Sequence, residues 1–418
     1  MSDERTFVII GASLAGGKAA ETLRDEGFTG RVVLVGEETE PPYERPPLSK
    51  GYLSGKEPRE KAFLHDERWW ADHDIDLRLG RRATMLDPAA HTVTLDGYEE
   101  LRYDKLLLAT GSRVRTLNVP GHDLSDVRYL RTIDEAEALR ARLSGGAQRV
   151  VVVGAGWIGL EVAAAARGYG AQVTVVELDQ LPLRRVLGDE VAALFRDLHV
   201  AHGVDFRFGV GVREFAGEGG RLRAVVLTDG SELPADLAVV GIGITPNTEL
   251  AVAAGLTVED GVVTDASLRT SDPDIYACGD VACTPNTVAG RRIRVEHWSN
   301  ALNGGPAAAR AMLGQEVTFD RVPYFYTDQY DLGMEYSGWV EPGGYQRVVF
   351  RGDPALVDGK VPGYLVFWLD AGSRVRAGMN VNIWDQTDNI RSLVASGRPV
   401  APDRLADPSV PLTELTQG

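Results

Sequence analysis

Cysteine is nearly absent from this chain: Cys278 and Cys283 are the only two in 418 residues. That is too few for the disulfide framework of a secreted domain, so a reducing cytoplasm is the expected compartment. Long apolar runs are missing as well. The most hydrophobic stretch, Val150 to Ala166, is interrupted by three glycines and by Glu161, short of the ~20-residue apolar span that a bilayer helix needs. The amino terminus carries acid where a secretory signal wants base, and Phe7 to Ile10 is too short for its apolar core, so no export is expected. Positive charge is in deficit: 44 Lys and Arg against 60 Asp and Glu leave a net charge of −16. This excludes a general affinity for nucleic acid or for an anionic membrane surface. The seven histidines show no metal-ligand spacing. His199 and His202 lie one helical turn apart with nothing to complete a site, so surface histidines and no metal are expected.

What remains is an ordinary globular composition, 44% hydrophobic and 25% charged, on a chain long enough for two or three domains. Glycine is the one excess, 47 residues, above the usual ~7%. Its placement is informative. Phe7 to Ile10 reads as a short buried strand, Gly11-Ala-Ser13-Leu-Ala15-Gly16 as a turn, and the alanine-rich segment to about Arg24 as a helix; Arg31 to Val35 is a second strand, closed by Glu37. The pattern returns at Val150 to Val153, Gly154-Ala-Gly156-Trp-Ile158-Gly159, an Ala-rich helix, and the strand Gln172 to Val176 closed by Glu177. From about Val322 the composition shifts to aromatics in short strands between glycine turns, which reads as a separate α+β domain.

The second glycine turn is complete. Its first Gly makes the turn, its second lets backbone approach a pyrophosphate, its third packs the helix, and Glu177 follows at the distance that suits a ribose 2′-OH. The helix N-terminus then offers unpaired N–H groups and a favourable dipole to phosphates. In the first copy Ser13 replaces the middle glycine, so its side chain must fit beside the phosphates. Two dinucleotide sites in one chain suggest two cofactors, one tightly held and one exchanging, with hydride passing between nicotinamide and flavin. The spacing Cys278-x4-Cys283 is that of a redox-active disulfide, but the pair sits late in the chain, and Pro41 to Ser54 has no cysteine. Cys278 on an apolar strand reads as buried and structural. Glu161, two residues beyond the third glycine, faces the nicotinamide side or, as an early helix acid, serves the helix dipole.

At this point the sequence resembles a known family, the NADH-dependent FAD-containing ferredoxin reductases of oxygenase systems, of the putidaredoxin reductase type. The resemblance covers nearly the whole chain. It rests on both glycine motifs, on Tyr43-Glu-Arg-Pro-Pro-Leu-Ser-Lys50, on Leu108-Ala-Thr110-Gly111, on Tyr276-Ala-Cys-Gly279-Asp280, on Glu296-His-Trp298-Ser-Asn300 and on Asp328-Gln329-Tyr330. It implies that Gly11, Ser13, Ala15, Gly16, Glu37, Lys50, Ala83, Thr110, Gly111, Arg131, Gly279, Asp280 and Trp298 serve FAD. It likewise implies that Gly154, Gly156, Ile158, Gly159, Glu161, Glu177, Arg185, Gly243 and Glu296 serve NADH. Two positions depart from the family pattern, Gly304 for an expected Gln and Tyr326 for an expected Trp, and both bear on the acceptor-facing surface.

The expected fold is α/β, with two Rossmann-like dinucleotide-binding domains of the glutathione-reductase-like architecture and a C-terminal α+β domain. The boundaries are 1–112 and 246–321 for FAD, 113–245 for NAD, and 322–418 for the last. The expected function is electron transfer from NADH through tightly bound FAD to a [2Fe-2S] ferredoxin that serves a monooxygenase or dioxygenase, with Lys50 and Glu161 paired as the catalytic groups. Reduction of a small acceptor such as a quinone stays open, as does a redox-sensing flavoprotein resembling apoptosis-inducing factor. Residues 291–310 hold Arg291, Arg292, Arg294 and Arg310 against Glu296 alone, and this basic stretch, Arg310 in particular, is the expected ferredoxin-docking patch. The sequence leaves the oligomeric state open.

Overall fold

The computed structural model describes residues 3–146 and 148–416. Contacts gather the chain into two compact units. The first comprises residues 1–45, 59–113 and 245–324, and the second 46–58, 114–244 and 325–418. The three-domain division expected from the sequence is finer, and it differs at residues 46–58, which it keeps in the FAD domain and which contacts gather into the second unit. Among the described residues no helix is long and apolar enough to cross a membrane.

The first unit is built on a five-stranded parallel sheet in the order Ile275–Ala277, Lys105–Leu108, Thr6–Ile10, Arg31–Val35, Ile75–Arg78. The central strand is the β-branched run that follows the amino terminus, and from Phe7 to Ile10 it is buried on both faces. Each such side chain contributes roughly 1.5–3 kcal/mol on leaving water, which is why a parallel core reads as a continuous apolar run rather than an alternation. Helix Leu14–Asp25 packs against helix Trp298–Met312. A Cβ on Gly305 would lie 2.2 Å from the carbonyl oxygen of Ala15 and 3.0 Å from the Ala19 nitrogen. The two backbones touch there, and only glycine allows it.

The second unit repeats the plan. Its parallel sheet runs Val204–Phe208, Gln172–Glu177, Arg149–Val153, Leu237–Val240, Val127–Arg128. Its C-terminal portion is a five-stranded sheet in the order Tyr324–Gln329, Leu332–Gly338, Val375–Val381, Tyr364–Leu369, Arg347–Arg351, antiparallel through its last four strands. Helix Thr387–Ser396 lies on this sheet, and a Cβ on Gly378 would come within 2.6 Å of Ile390. All six residues of Tyr364–Leu369 are buried, and the Trp368 indole N–H donates to the carbonyl of Leu187 at 2.9 Å. The aromatics that marked this segment in the sequence are its core.

Gly304 lies elsewhere than expected. It is buried, and a Cβ there would face Cys278 and Gly279 at 3.5–3.6 Å, so it packs against the Gly279 turn rather than on an acceptor-facing surface. The contrast with its neighbour is testable. Gly305→Ala is expected to destabilise the protein by about 1–3 kcal/mol, the usual cost of forcing a methyl into a closed contact. Gly304→Ala meets only ordinary contact distances and should stay close to the wild-type Tm. Equal melting temperatures for the two variants would refute this account of the helix crossing.

Candidate functional site

In the first unit the chain turns at Gly11, whose φ of +119° and whose approach to Ala109 leave no room for a side chain; a Cβ would sit 2.0 Å from that carbonyl oxygen. Gly16 would strike the carbonyl of Gly11 at 1.9 Å, so the third glycine presses the helix onto the turn. Ser13 caps the helix in extended conformation without a side-chain cap bond. Its hydroxyl turns to the carbonyl of Tyr43 instead, at 3.4 Å. The first-turn N–H groups therefore keep no side-chain oxygen of Ser13. Gly279 has φ of +74°, and a Cβ there would lie 3.2 Å from the Ala15 methyl. The hydroxyl of Thr110 donates to the carbonyl of Asn247, and the Asn247 amide donates back to Thr110, both at 2.8 Å; Gly111 takes φ of +62°. Trp298 opens its helix and donates its indole N–H to Glu44 at 2.9 Å. Asp280 sits in the turn Gly279–Val281. Glu37 is 71% exposed with Arg82 at 3.5 Å, and Ala83 pairs with Leu95 on a small antiparallel sheet.

The second unit's turn has the same geometry. Gly154 has φ of +100°, Gly159 closes on the Gly154 carbonyl at 2.0 Å, and Gly156 faces open space where a middle glycine would admit a phosphate. Glu177 is already engaged. One carboxylate oxygen accepts the Ala155 N–H at 2.7 Å and the other the Asp179 N–H at 2.9 Å, so strand end and glycine turn are tied before any nucleotide arrives. Ile158 is exposed on the helix's first turn, and Gly243 takes φ of +101°. Arg131 precedes a capping box in which Glu135 accepts the N–H groups of Arg131 and Thr132 at 2.7 and 2.9 Å.

Lys50 and Glu161 come together: Nζ to Oε1 is 2.7 Å, with the lysine 13% and the glutamate 2% exposed. The Ser49 hydroxyl donates to the other carboxylate oxygen, the Thr327 hydroxyl donates to Oε1 at 2.5 Å, and the ring of Tyr326 lies 5.2 Å from the Lys50 ammonium. Tyr326 thus borders the charge pair. Glu161 is the fifth residue of helix Trp157–Gly168, whose first turn holds no acid. The reading of Glu161 as a dipole-serving early acid is therefore corrected; its charge is met by side chains.

Other expected residues stand apart. Arg185 is 83% exposed with Asp179 at 3.7 Å. Glu296 belongs to the first unit and binds Arg294. Arg310 is paired with Glu26 at 2.7 Å and Arg294 also faces Asp260 at 3.4 Å, so local carboxylates offset part of the basic stretch. His199 is a correction. It is fully buried rather than on the surface, hydrogen-bonded to Gln329 and Tyr330 at 2.8 and 3.1 Å. Burial lowers its pKa to about 4, so the ring is neutral near pH 7. Helical spacing places His199 and His202 near one another but says nothing about which face is covered. Thr327 was missed altogether, since a lone threonine on a strand carries no signal. Both cysteines are free and buried, and burial pushes the Cys278 thiol up to about 12. No group of three or more His, Cys, Asp or Glu suited to a metal occurs among the described residues.

Comparison with known proteins agrees with this geometry. Residues 5–305 match the pyridine nucleotide-disulphide oxidoreductase family and residues 324–416 the reductase C-terminal family. The chain is 41% identical to the ferredoxin–NAD(+) reductase component of the anthranilate 1,2-dioxygenase system of Burkholderia cepacia, over 97% of this chain and 98% of that protein. It is 38% identical to putidaredoxin reductase of Pseudomonas putida, over 99% and 97%. Among solved structures, the covalent putidaredoxin reductase–putidaredoxin complex superposes with a TM-score of 0.93 at 37% identity, covering 100% of this chain and 99% of that one. Two glycine-turn parallel sheets, followed by the antiparallel C-terminal sheet and matched along almost their whole length, make this chain a member of the pyridine nucleotide-disulphide oxidoreductase family.

Proposed function

We propose that the protein passes electrons from NADH through FAD to a [2Fe-2S] ferredoxin that serves an oxygenase. The observation that carries this reading is the presence in one chain of two glycine turns of the same geometry, each opening a helix whose first-turn N–H groups receive no side-chain bond from the cap residue. The residues fit two dinucleotides: positive-φ glycines let the backbone approach phosphates, and the free helix ends favour negative charge. FAD is assigned to the first turn with Glu37, Ala83, Thr110, Gly111, Gly279, Asp280 and Trp298, and the family resemblance adds Lys50 and Arg131. NADH is assigned to the second turn with Ile158, Glu161, Glu177, Arg185 and Gly243, and the family resemblance adds Glu296. The finer division into FAD, NAD and C-terminal domains, and a cytoplasmic location in keeping with two free thiols, belong to the same reading.

Bound FAD supplies the ability to take a hydride and return electrons one at a time. The protein's part is positioning. Glu177, held by two backbone N–H groups, offers its remaining lone pairs to ribose hydroxyls. Glu161 holds the Lys50 ammonium in a fixed place away from water, and neither charge is left alone. Disulfide exchange is excluded from this reading, because a buried thiol as weakly acidic as Cys278 is a poor nucleophile.

Four outcomes test the assignment. NADH should be preferred over NADPH by kcat/KM, because Glu177 repels a 2′-phosphate; of the two nearby cations, Arg184 is already bound by Asp179 at 3.0 Å and Asp189 at 2.5 Å, and Arg185 faces Asp179 at 3.7 Å. A ratio favouring NADPH refutes it. Lys50→Met should slow flavin reduction by NADH in stopped flow by roughly 10²-fold, the scale for losing one preorganised charge; an unchanged rate with FAD still bound rules the lysine out. Raising ionic strength should weaken ferredoxin-dependent turnover and hardly alter turnover with a neutral quinone, since surface charges reach only about 8 Å at physiological salt. Arg310→Glu, which sets a second carboxylate beside Glu26, should raise the KM for ferredoxin. If both acceptors respond alike, ferredoxin docks elsewhere.

A further inference from the structure

Behind the Lys50–Glu161 pair the second unit holds a run of buried polar side chains that the steps above do not use. It begins at Tyr330, whose hydroxyl lies 3.1 Å from Nδ1 of His199. The neutral imidazole has one N–H. Nε2 lies 2.8 Å from Oε1 of Gln329, an acceptor only, so the partners assign the proton to Nε2 and leave Nδ1 to accept from Tyr330. The Gln329 amide then donates to Oγ1 of Thr327 at 3.2 Å, and the Thr327 hydroxyl donates to Oε1 of Glu161.

Every donor in the run points the same way, and the run ends on a carboxylate. Thr327 and Gln329 are two apart on one strand, so both project to the same face. Thr327, Gln329 and His199 are each at most 1% exposed, which leaves no water to replace a missing partner. Aligned hydrogen bonds in a low-dielectric interior polarise one another, and here the last of them is donated to the Glu161 carboxylate.

We propose that Thr327, backed by Gln329 and His199, is the positioning residue for Glu161: it fixes the orientation of the carboxylate toward Lys50, so that the C-terminal sheet positions the charge pair at the nucleotide site. The proposal rests on the reading that the Lys50–Glu161 pair serves flavin reduction by NADH. It differs from a merely structural hydroxyl in requiring that Thr327 act through Glu161.

The test is a double-mutant cycle on the FAD-loaded protein, read both as the stopped-flow rate of flavin reduction at saturating NADH and as Tm. Thr327→Val should slow reduction about 10- to 100-fold, the worth of a hydrogen bond to a charged group. Thr327→Ser, which keeps the hydroxyl, should restore the rate to within about twofold. In a Glu161→Gln background, Thr327→Val should cost less than about twofold in rate and a correspondingly smaller loss of Tm. Equal losses in both backgrounds, a serine variant as slow as the valine variant, or a wild-type rate for Thr327→Val would each overturn the proposal. Gln329→Met, one bond further back, carries the same comparison if Thr327→Val does not fold. A wild-type protein whose flavin NADH does not reduce overturns the functional reading instead, while the Tm arm still tests the coupling of Thr327 to Glu161.

Discussion

A carboxylate taken out of water costs several kcal/mol unless opposite charge and hydrogen bonds meet it, and at Glu161 that cost can be offset only by residues far apart in the chain. Ser49 and Lys50 come from the segment 46–58, Thr327 from the first strand of the C-terminal sheet, and Glu161 itself from the helix after the second glycine turn. Removing either charged partner strands a buried charge, and removing Thr327 takes one hydrogen bond from the carboxylate. This gives a physical reason for a feature of the chain's organisation: residues 46–58 leave the unit that flanks them in sequence and belong with the second one.

Around this point the glycine turns supply rigidity of another kind. Gly11 and Gly154 take positive φ and press against the backbone of the strand beside them, so any side chain would collide with a carbonyl that cannot move. Here specificity is steric and local. Glu177 adds an electrostatic tie, since its two backbone partners draw the strand end onto the turn. The carboxylate that meets a ribose therefore also orders the loop that meets the phosphates.

Charge elsewhere is arranged to be neutralised nearby. The net charge of −16 coexists with an arginine-rich strand, Arg291–Arg294, yet Arg294, and Arg310 on the helix that follows, each have a carboxylate partner. A count of residues in a window overstates the field of such a stretch, because it omits acids brought in from other parts of the chain. Glu26 is one of these, and it lies nearly the whole length of the first unit's sequence away from Arg310.

The sequence by itself determined the two glycine-turn units, their strands and helices, the buried character of the cysteines and the acids that close the strands. Each of these is written in neighbouring residues, through hydrophobic period, turn chemistry and the missing side chain of glycine. It did not determine that His199 is buried, that Gly304 faces the Gly279 turn, that Glu161 lies past its helix's first turn, or that Thr327 reaches Glu161. The charge pair, the surroundings of His199 and the reach of Thr327 depend on pairs separated by more than 100 residues: Lys50 with Glu161, His199 with Gln329 and Glu161 with Thr327. No local propensity encodes such a pair; it exists only once the sheets have packed and excluded the water that would otherwise have satisfied each group alone.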